Sequence, residues 1–180
     1  MKDVINNFAT GDKYEFLHTD QATSGRISEF VLTLAPNSSC AKSPRHFHPF
    51  QTETFRVLEG KLNLSVGDRI YELTSDDDKV TVEKDTLHSF WNSQNERVKF
   101  VAEIYPPVNI EKGIRLTCKL SEEGKISKRN IPYNPFYTLI LMDYFDVQGW
   151  DFTTFFSESV LARTRFVFRL NKPLNHEIDV

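Results

Sequence analysis

Between Lys13 and Leu120 apolar and polar positions alternate in short runs. Phe30, Leu32 and Leu34 are interleaved with Val31 and Thr33, and Leu62, Leu64 and Val66 with Lys61, Asn63 and Ser65. Val98, Phe100, Ala102 and Ile104 are interleaved in the same way with Lys99, Val101 and Glu103. A period of two puts alternate side chains on one face of a strand, so each run predicts a strand with one buried face. Glu59-Gly60 and Gly67-Asp68 read as compact turns between them, and Ser75 to Lys79 reads as a polar loop. Many short strands separated by turns predict a sandwich or closed barrel rather than a parallel sheet.

The pattern changes at Pro106-Pro107. Ile114 to Leu120 reads as one more strand, and the charged stretch Ser121 to Asn130 as a loop. Asn134-Pro135 has the form of a helix N-cap followed by proline in the first turn. Phe136, Leu139, Ile140, Asp143, Tyr144 and Val147 then fall mostly on one apolar face at helical spacing, with Gly149 ending the helix. A second helix is expected over Ser157 to Leu170, where Phe166-Val167-Phe168 also suits a strand. The chain therefore divides into residues 1–106, a β-barrel with N-terminal strands, and residues 107–180, a strand and helical extension packed on it within the same structural domain. The apolar face of the extension needs burial, either on the outside of the barrel, over its mouth or in a dimer contact.

Composition narrows the partners. A chain of 180 residues suits one domain with a substantial core, and its formal net charge of -3 comes without any basic block. Nucleic acid is therefore not an expected partner. Leu139 to Met142 is the longest unbroken apolar run and is far too short to span a bilayer, and the N-terminus has no apolar signal region. The two cysteines, Cys40 and Cys118, give no disulfide framework, so a reducing, cytoplasmic compartment is expected. A homodimer is expected. Phe occurs 15 times, which suits a core or pocket wall.

Candidate chemistry lies in two runs, Pro44 to Gly60 and His88 to Asn92. His46 and His48 are two apart and project from one face of a strand. Glu53 follows His48 by five residues, an odd offset that an unbroken strand would turn to the opposite face. Pro49 marks a bend that can bring Glu53 back, on the same face as Phe55 and Val57. Gly60 permits the sharp turn that follows. His88 and Asn92 share a face of a later strand, which can lie beside the first in a closed barrel. Neutral imidazoles and a carboxylate are a ligand set for a divalent transition metal. A His-x-His pair alone is weak evidence, since most such pairs are surface or satisfied core histidines.

Taken together, the spacing of His46, His48, Glu53 and Gly60, and of His88 and Asn92, resembles the two motifs of the cupins. Cys40 stands where the first motif has a glycine, and Asp77, Glu83 and Asp85 replace turn residues of the second. The resemblance covers roughly residues 25 to 106. It implies a mainly β fold, a double-stranded β-helix (jelly-roll) barrel, here with a C-terminal helical extension. It further implies one divalent transition metal (Fe, Mn, Ni, Cu or Zn) near the barrel mouth, held by His46, His48, Glu53 and His88 with a coordination position open.

Phe55 and Phe90 share strand faces with these ligands and are the best candidates for a pocket wall, with Asn92 and Tyr105 as further pocket candidates. Gln51 and Arg56 could orient a ligand, but each suits a local structural role equally well. Cys40 could approach the metal or be a small buried thiol. His18 and His176 have no companions at ligand spacing and read as surface residues. The leading expectation is a metal-dependent, dioxygenase-like enzyme acting on a small organic substrate. The alternatives are a metal-dependent sugar isomerase or epimerase, with Tyr105 as its acid–base candidate, a non-enzymatic small-molecule-binding protein, and a storage protein, which would not need the ligand set.

Overall fold

The structure, a computed structural model, describes residues 3–19, 21–38 and 45–149. Cys40, His176 and the helix expected over Ser157 to Leu170 lie outside the described residues. In chain order the strands are β1 (Asp3–Asn7), β2 (Asp12–His18), β3 (Ser28–Leu34), β4 (His46–Phe47), β5 (Thr52–Glu59) and β6 (Leu62–Val66). They continue as β7 (Arg69–Leu73), β8 (Val80–Val82), β9 (His88–Trp91) and β10 (Val98–Tyr105). Helices α1 (Ile110–Glu122) and α2 (Pro135–Tyr144) and the short strand β11 (Gln148–Gly149) complete the described chain.

The strands form two antiparallel sheets, ordered β1-β2-β3-β10-β5-β8 and β11-β4-β9-β6-β7. Their apolar faces meet in one core. Phe30, Leu32, Phe100 and Phe55 come from the first sheet, and Leu62 and Leu64 from the second. Phe55, Phe90 and Phe100 pack ring against ring across the two sheets, with centroids 5.4 to 5.9 Å apart. The alternating runs and turns predict a sandwich or closed barrel, and the form found is the jelly-roll barrel that the resemblance implies. No described helix is long and apolar enough to cross a membrane.

Gly60 ends β5 at φ +80°, and a Cβ there would lie 2.9 Å from the Arg97 carbonyl oxygen. Only glycine fits both the left-handed backbone and the close approach of the neighbouring chain. Asp85, where the motif it resembles has glycine, also takes a positive φ of 60°. Aspartate is among the few residues that tolerate this region, so the substitution keeps the turn.

The extension departs from expectation in three places. Ile114 to Leu120 is not a strand but part of α1. Ile114, Leu116, Cys118 and Leu120 alternate as in a strand, yet each spacing also suits a two-faced helix. Ile110, Ile114 and Cys118 enter the barrel core at intervals of four residues, while Leu116 and Leu120 pack with Ile126 and Leu141. In α2, Asn134 caps as predicted, accepting from the Phe136 N–H at 3.0 Å. The buried face is shifted by one residue, however. Tyr137, Ile140, Leu141 and Tyr144 pack inward, whereas Phe136 is 54% exposed. The helix also stops at Tyr144 rather than Gly149, because Asp146 takes φ 49° and the Val147 N–H turns back to the Met142 carbonyl. Gly149 lies in β11 instead.

Candidate metal centre

The four candidate ligands come from four places in the chain: β4, the residue just after it, β5 and β9. His46 and His88 are direct cross-strand partners on β4 and β9. Their ring centroids are 4.5 Å apart. After His48 the chain bends through Pro49 to Gln51 and crosses from one sheet to the other. Glu53, on β5, then faces inward between Ile104 of β10 and Val82 of β8. The crossing resolves the odd offset, because the faces of two different sheets both point into the barrel. The His48 ring lies 5.1 Å from His46 and 5.3 Å from His88. One nitrogen from each of the three imidazoles lies within 4.8 Å of the others.

Hydrogen bonds fix how two of these rings present themselves. His48 Nδ1 donates to the Phe145 carbonyl at 2.9 Å, and His88 Nδ1 donates to the Thr86 carbonyl at 2.9 Å. A carbonyl can only accept, so both Nδ1 atoms carry protons and both Nε2 atoms turn toward the shared point. Glu53 meets them there, with Oε2 3.1 Å from His88 Nε2 and Oε1 3.5 Å from His48 Nε2. His48 Nε2 is buried without a hydrogen-bond partner. A buried, unsatisfied nitrogen is costly unless something occupies its lone pair. That orphaned atom, the neighbouring imidazoles and the carboxylate fit a divalent transition metal.

Charge at the site is internally compensated. Glu53 is 7% exposed, and burial alone would raise its carboxyl. His48, then His88 and His46, outweigh burial and hold it down to about 2. For His88, burial pulls the imidazolium down, but the Glu53 hydrogen bond and charge, with the Thr86 carbonyl, raise it above the ordinary histidine value.

A cavity of about 210 Å³ opens beside His46, His48 and Glu53. Phe55, Phe90, Phe100 and Ile104 form an apolar part of its wall, so two of the four predicted pocket residues are in place. Asn92 and Tyr105 are not. Asn92 is 2% exposed but lies past the end of β9, where its amide donates to the Ala35 and Glu96 carbonyls at 2.8 and 2.7 Å. Tyr105 is one residue out of phase with the inward positions Phe100, Ala102 and Ile104, and is 58% exposed. Gln51 is buried and donates to the Pro106 carbonyl at 3.0 Å, and Arg56 is on the exposed face of β5. Both are structural or surface residues. His18 is an exposed partner of Glu29 at 2.6 Å.

Sequence reasoning offered the barrel mouth as one place for the extension but named none of the residues it contributes. Phe145 and Val147 line the cavity, as do Ile110 and Ile114 of α1 and the loop residues Arg129 to Ile131. β11 pairs with β4, placing Gly149 opposite His46. The buried Asp146 carboxylate accepts the Phe50 N–H at 3.1 Å, which ties the bend after His48 to the end of α2. Thr86 and Phe145 act on the histidines through main-chain carbonyls, which no residue pattern reveals.

Residues 30–104 match the Cupin domain family. The chain carries a cupin domain. It holds all four candidate ligands and both histidine motifs. A second match, to the Glutamate dehydrogenase, ACT2 domain, covers residues 137–180, most of which lie outside the described residues. Among curated proteins, the cupin-bearing chain is 37% identical over 70 residues to an oxidoreductase of Arthrobotrys oligospora, covering 37% of this chain and 28% of that one. It is 42% identical over 68 residues to the probable oxidoreductase patJ of Penicillium expansum, covering 37% of this chain and 21% of that one. The chain thus matches under a third of the length of these relatives. Among solved structures, a sugar phosphate isomerase of the cupin superfamily from Silicibacter pomeroyi aligns with a TM-score of 0.47 at 19% identity, covering 58% of this chain and 71% of that one.

Proposed function

We propose that this cupin is a metal-dependent enzyme of the dioxygenase kind, acting on a small organic substrate beside an ion held by His46, His48, His88 and Glu53. The observation that carries the reading is the pair of Nε2 atoms turned to one buried point by carbonyl-bound Nδ1–H groups, with an apolar cavity next to it. A bound redox-active ion would supply Lewis acidity and electron transfer at that point. The Phe145 and Thr86 carbonyls keep the imidazoles in the ligating tautomer. Glu53 neutralises charge there and can hold a proton with His88. The aromatic wall excludes water from the substrate's side of the site. The cavity is smaller than the roughly 300–1,000 Å³ usual for drug-sized ligands, which suits a small substrate. The oxidoreductase names of two fungal relatives support the same direction.

Tyr105, the acid–base candidate of the isomerase alternative, is exposed and outside the cavity lining, which supports the oxidative reading. Elemental analysis of protein purified without added metal, followed by oxygen-electrode assays with small organic substrates, tests the proposal. Iron, copper or manganese at one ion per chain, lost in His48→Ala together with oxygen uptake, is the expected result. Stoichiometric metal in His48→Ala, or oxygen uptake unaffected by loss of the ion, would count against it.

A further inference from the structure

Among the described residues, the cavity wall contains one permanent cation and one carboxylate, Arg129 and Glu53. Glu53 is committed to His48 and His88. Arg129 is exposed while lining the cavity, so it stands where the cavity meets solvent, and its guanidinium has no acidic partner among the described residues.

Its loop is pinned on both sides. Ser127 Oγ accepts the N–H groups of Arg129 and Ile131 at 3.3 and 3.2 Å, and the Ser127 N–H and carbonyl bond Ile131 and Asn130 at 3.0 and 2.9 Å. Asn130 Oδ1 accepts the amide of the fully buried Asn7 at 2.8 Å, and Ile126 bridges to Pro132. The backbone that presents Arg129 is therefore preorganised.

A guanidinium presents two parallel N–H donors that match a planar carboxylate. The rest of the wall is largely aliphatic and aromatic. From these features we infer that the cavity takes a small organic acid, with its carboxylate on Arg129 and its apolar body against Phe55, Phe90 and Phe100. The inference deepens the proposed function and rests on the same cavity serving as the substrate site. Arg129 would be a specificity-determining residue contributed by the extension rather than by the cupin domain.

The test is calorimetric titration with phenylacetate and with its neutral isostere phenylacetamide, on metal-free and Ni²⁺-loaded protein, with metal content measured on the same samples. Wild type is expected to bind the acid about tenfold more tightly than the amide in both forms, as a partly exposed charge-assisted pair allows. Arg129→Gln should abolish that preference with metal content unchanged, and Arg129→Lys should restore part of it. Equal affinity for the two probes, binding of neither, or a preference that survives Arg129→Gln overturns the inference. An acid preference confined to loaded protein and indifferent to residue 129 would place the carboxylate on the ion, sinking this inference but not the proposed function. An Arg129-dependent preference in protein that takes up no metal would do the reverse.

Discussion

Gly113 sits inside α1, where replacing glycine by alanine normally stabilises a helix by about 0.8–1.0 kcal/mol. Here the sign should invert. A Cβ on Gly113 would lie 2.9, 3.0 and 3.1 Å from three carbons of the Phe145 ring. Ordinary carbon–carbon contact is about 3.5–4.0 Å, so the ring must retreat by roughly 0.5 Å or more. Overpacking of this kind costs about 1–3 kcal/mol. Set against the helix-propensity gain, Gly113→Ala is expected to destabilise the fold by up to ~2 kcal/mol.

The more specific effect concerns the site. Phe145 is the residue whose carbonyl holds His48 Nδ1 at 2.9 Å. Displacing it loosens that bond, and losing an outer-shell partner of a metal ligand costs about 10–100-fold in metal affinity. Urea denaturation should give the stability change, and calorimetric titration with Ni²⁺ the affinity. In a Phe145→Leu background the clash is relieved, and the same Gly113→Ala substitution should turn stabilising. A single Gly113→Ala variant that is about 1 kcal/mol more stable than wild type and binds Ni²⁺ equally well would refute the reasoning.

Four further outcomes are expected. In metal-free protein, a Glu53 carboxyl held at about 2 against an ordinary value of 4.5 contributes stability that is complete above pH ~4.5 and lost as pH falls toward 2. That contribution is worth about 3 kcal/mol, and Glu53→Gln should flatten the acid limb in urea titrations across pH. His88 works in the opposite direction: its raised value stabilises fully below 6.5 and fades as pH climbs through the folded value. Metal uptake near neutral pH should therefore release a proton, detectable as a buffer-dependent binding enthalpy; an enthalpy independent of buffer would contradict it. Burial, aided by Asp12, pushes the Cys118 thiol up to about 12, so in a Cys40→Ser background Cys118 should resist a thiol reagent at pH 7 until urea unfolds the chain. Gly60→Ala should cost about 1–2 kcal/mol for its left-handed backbone alone, with the approach to the Arg97 carbonyl adding to it, read as a fall in thermal midpoint.

The barrel was legible because its strands each bury one face, and a period of two admits few other readings. The four candidate ligands were legible because their side chains carry the chemistry and their offsets are rigid within two short runs. Ile114 to Leu120 misled because its apolar residues satisfy both periods, and only burial against two separate clusters decides for the helix. Tyr105 could have been excluded by phase, since its even-numbered neighbours on β10 were already assigned inward. Asn92 shared its parity with His88 but lay past the point where the strand ends. Phe145, Thr86 and Arg129 had no such signal, because two act through backbone atoms and the third is brought to the cavity by tertiary packing alone.

The bond from His48 to Phe145 also sets an order of events during synthesis. All four candidate ligands have been translated once residue 88 is added, yet the carbonyl that orients one of them comes 57 residues later. A nascent chain halted between those points holds the donors without the part that aims them. On the proposed function, ion capture at full strength would wait until the tail has emerged from the ribosome and docked.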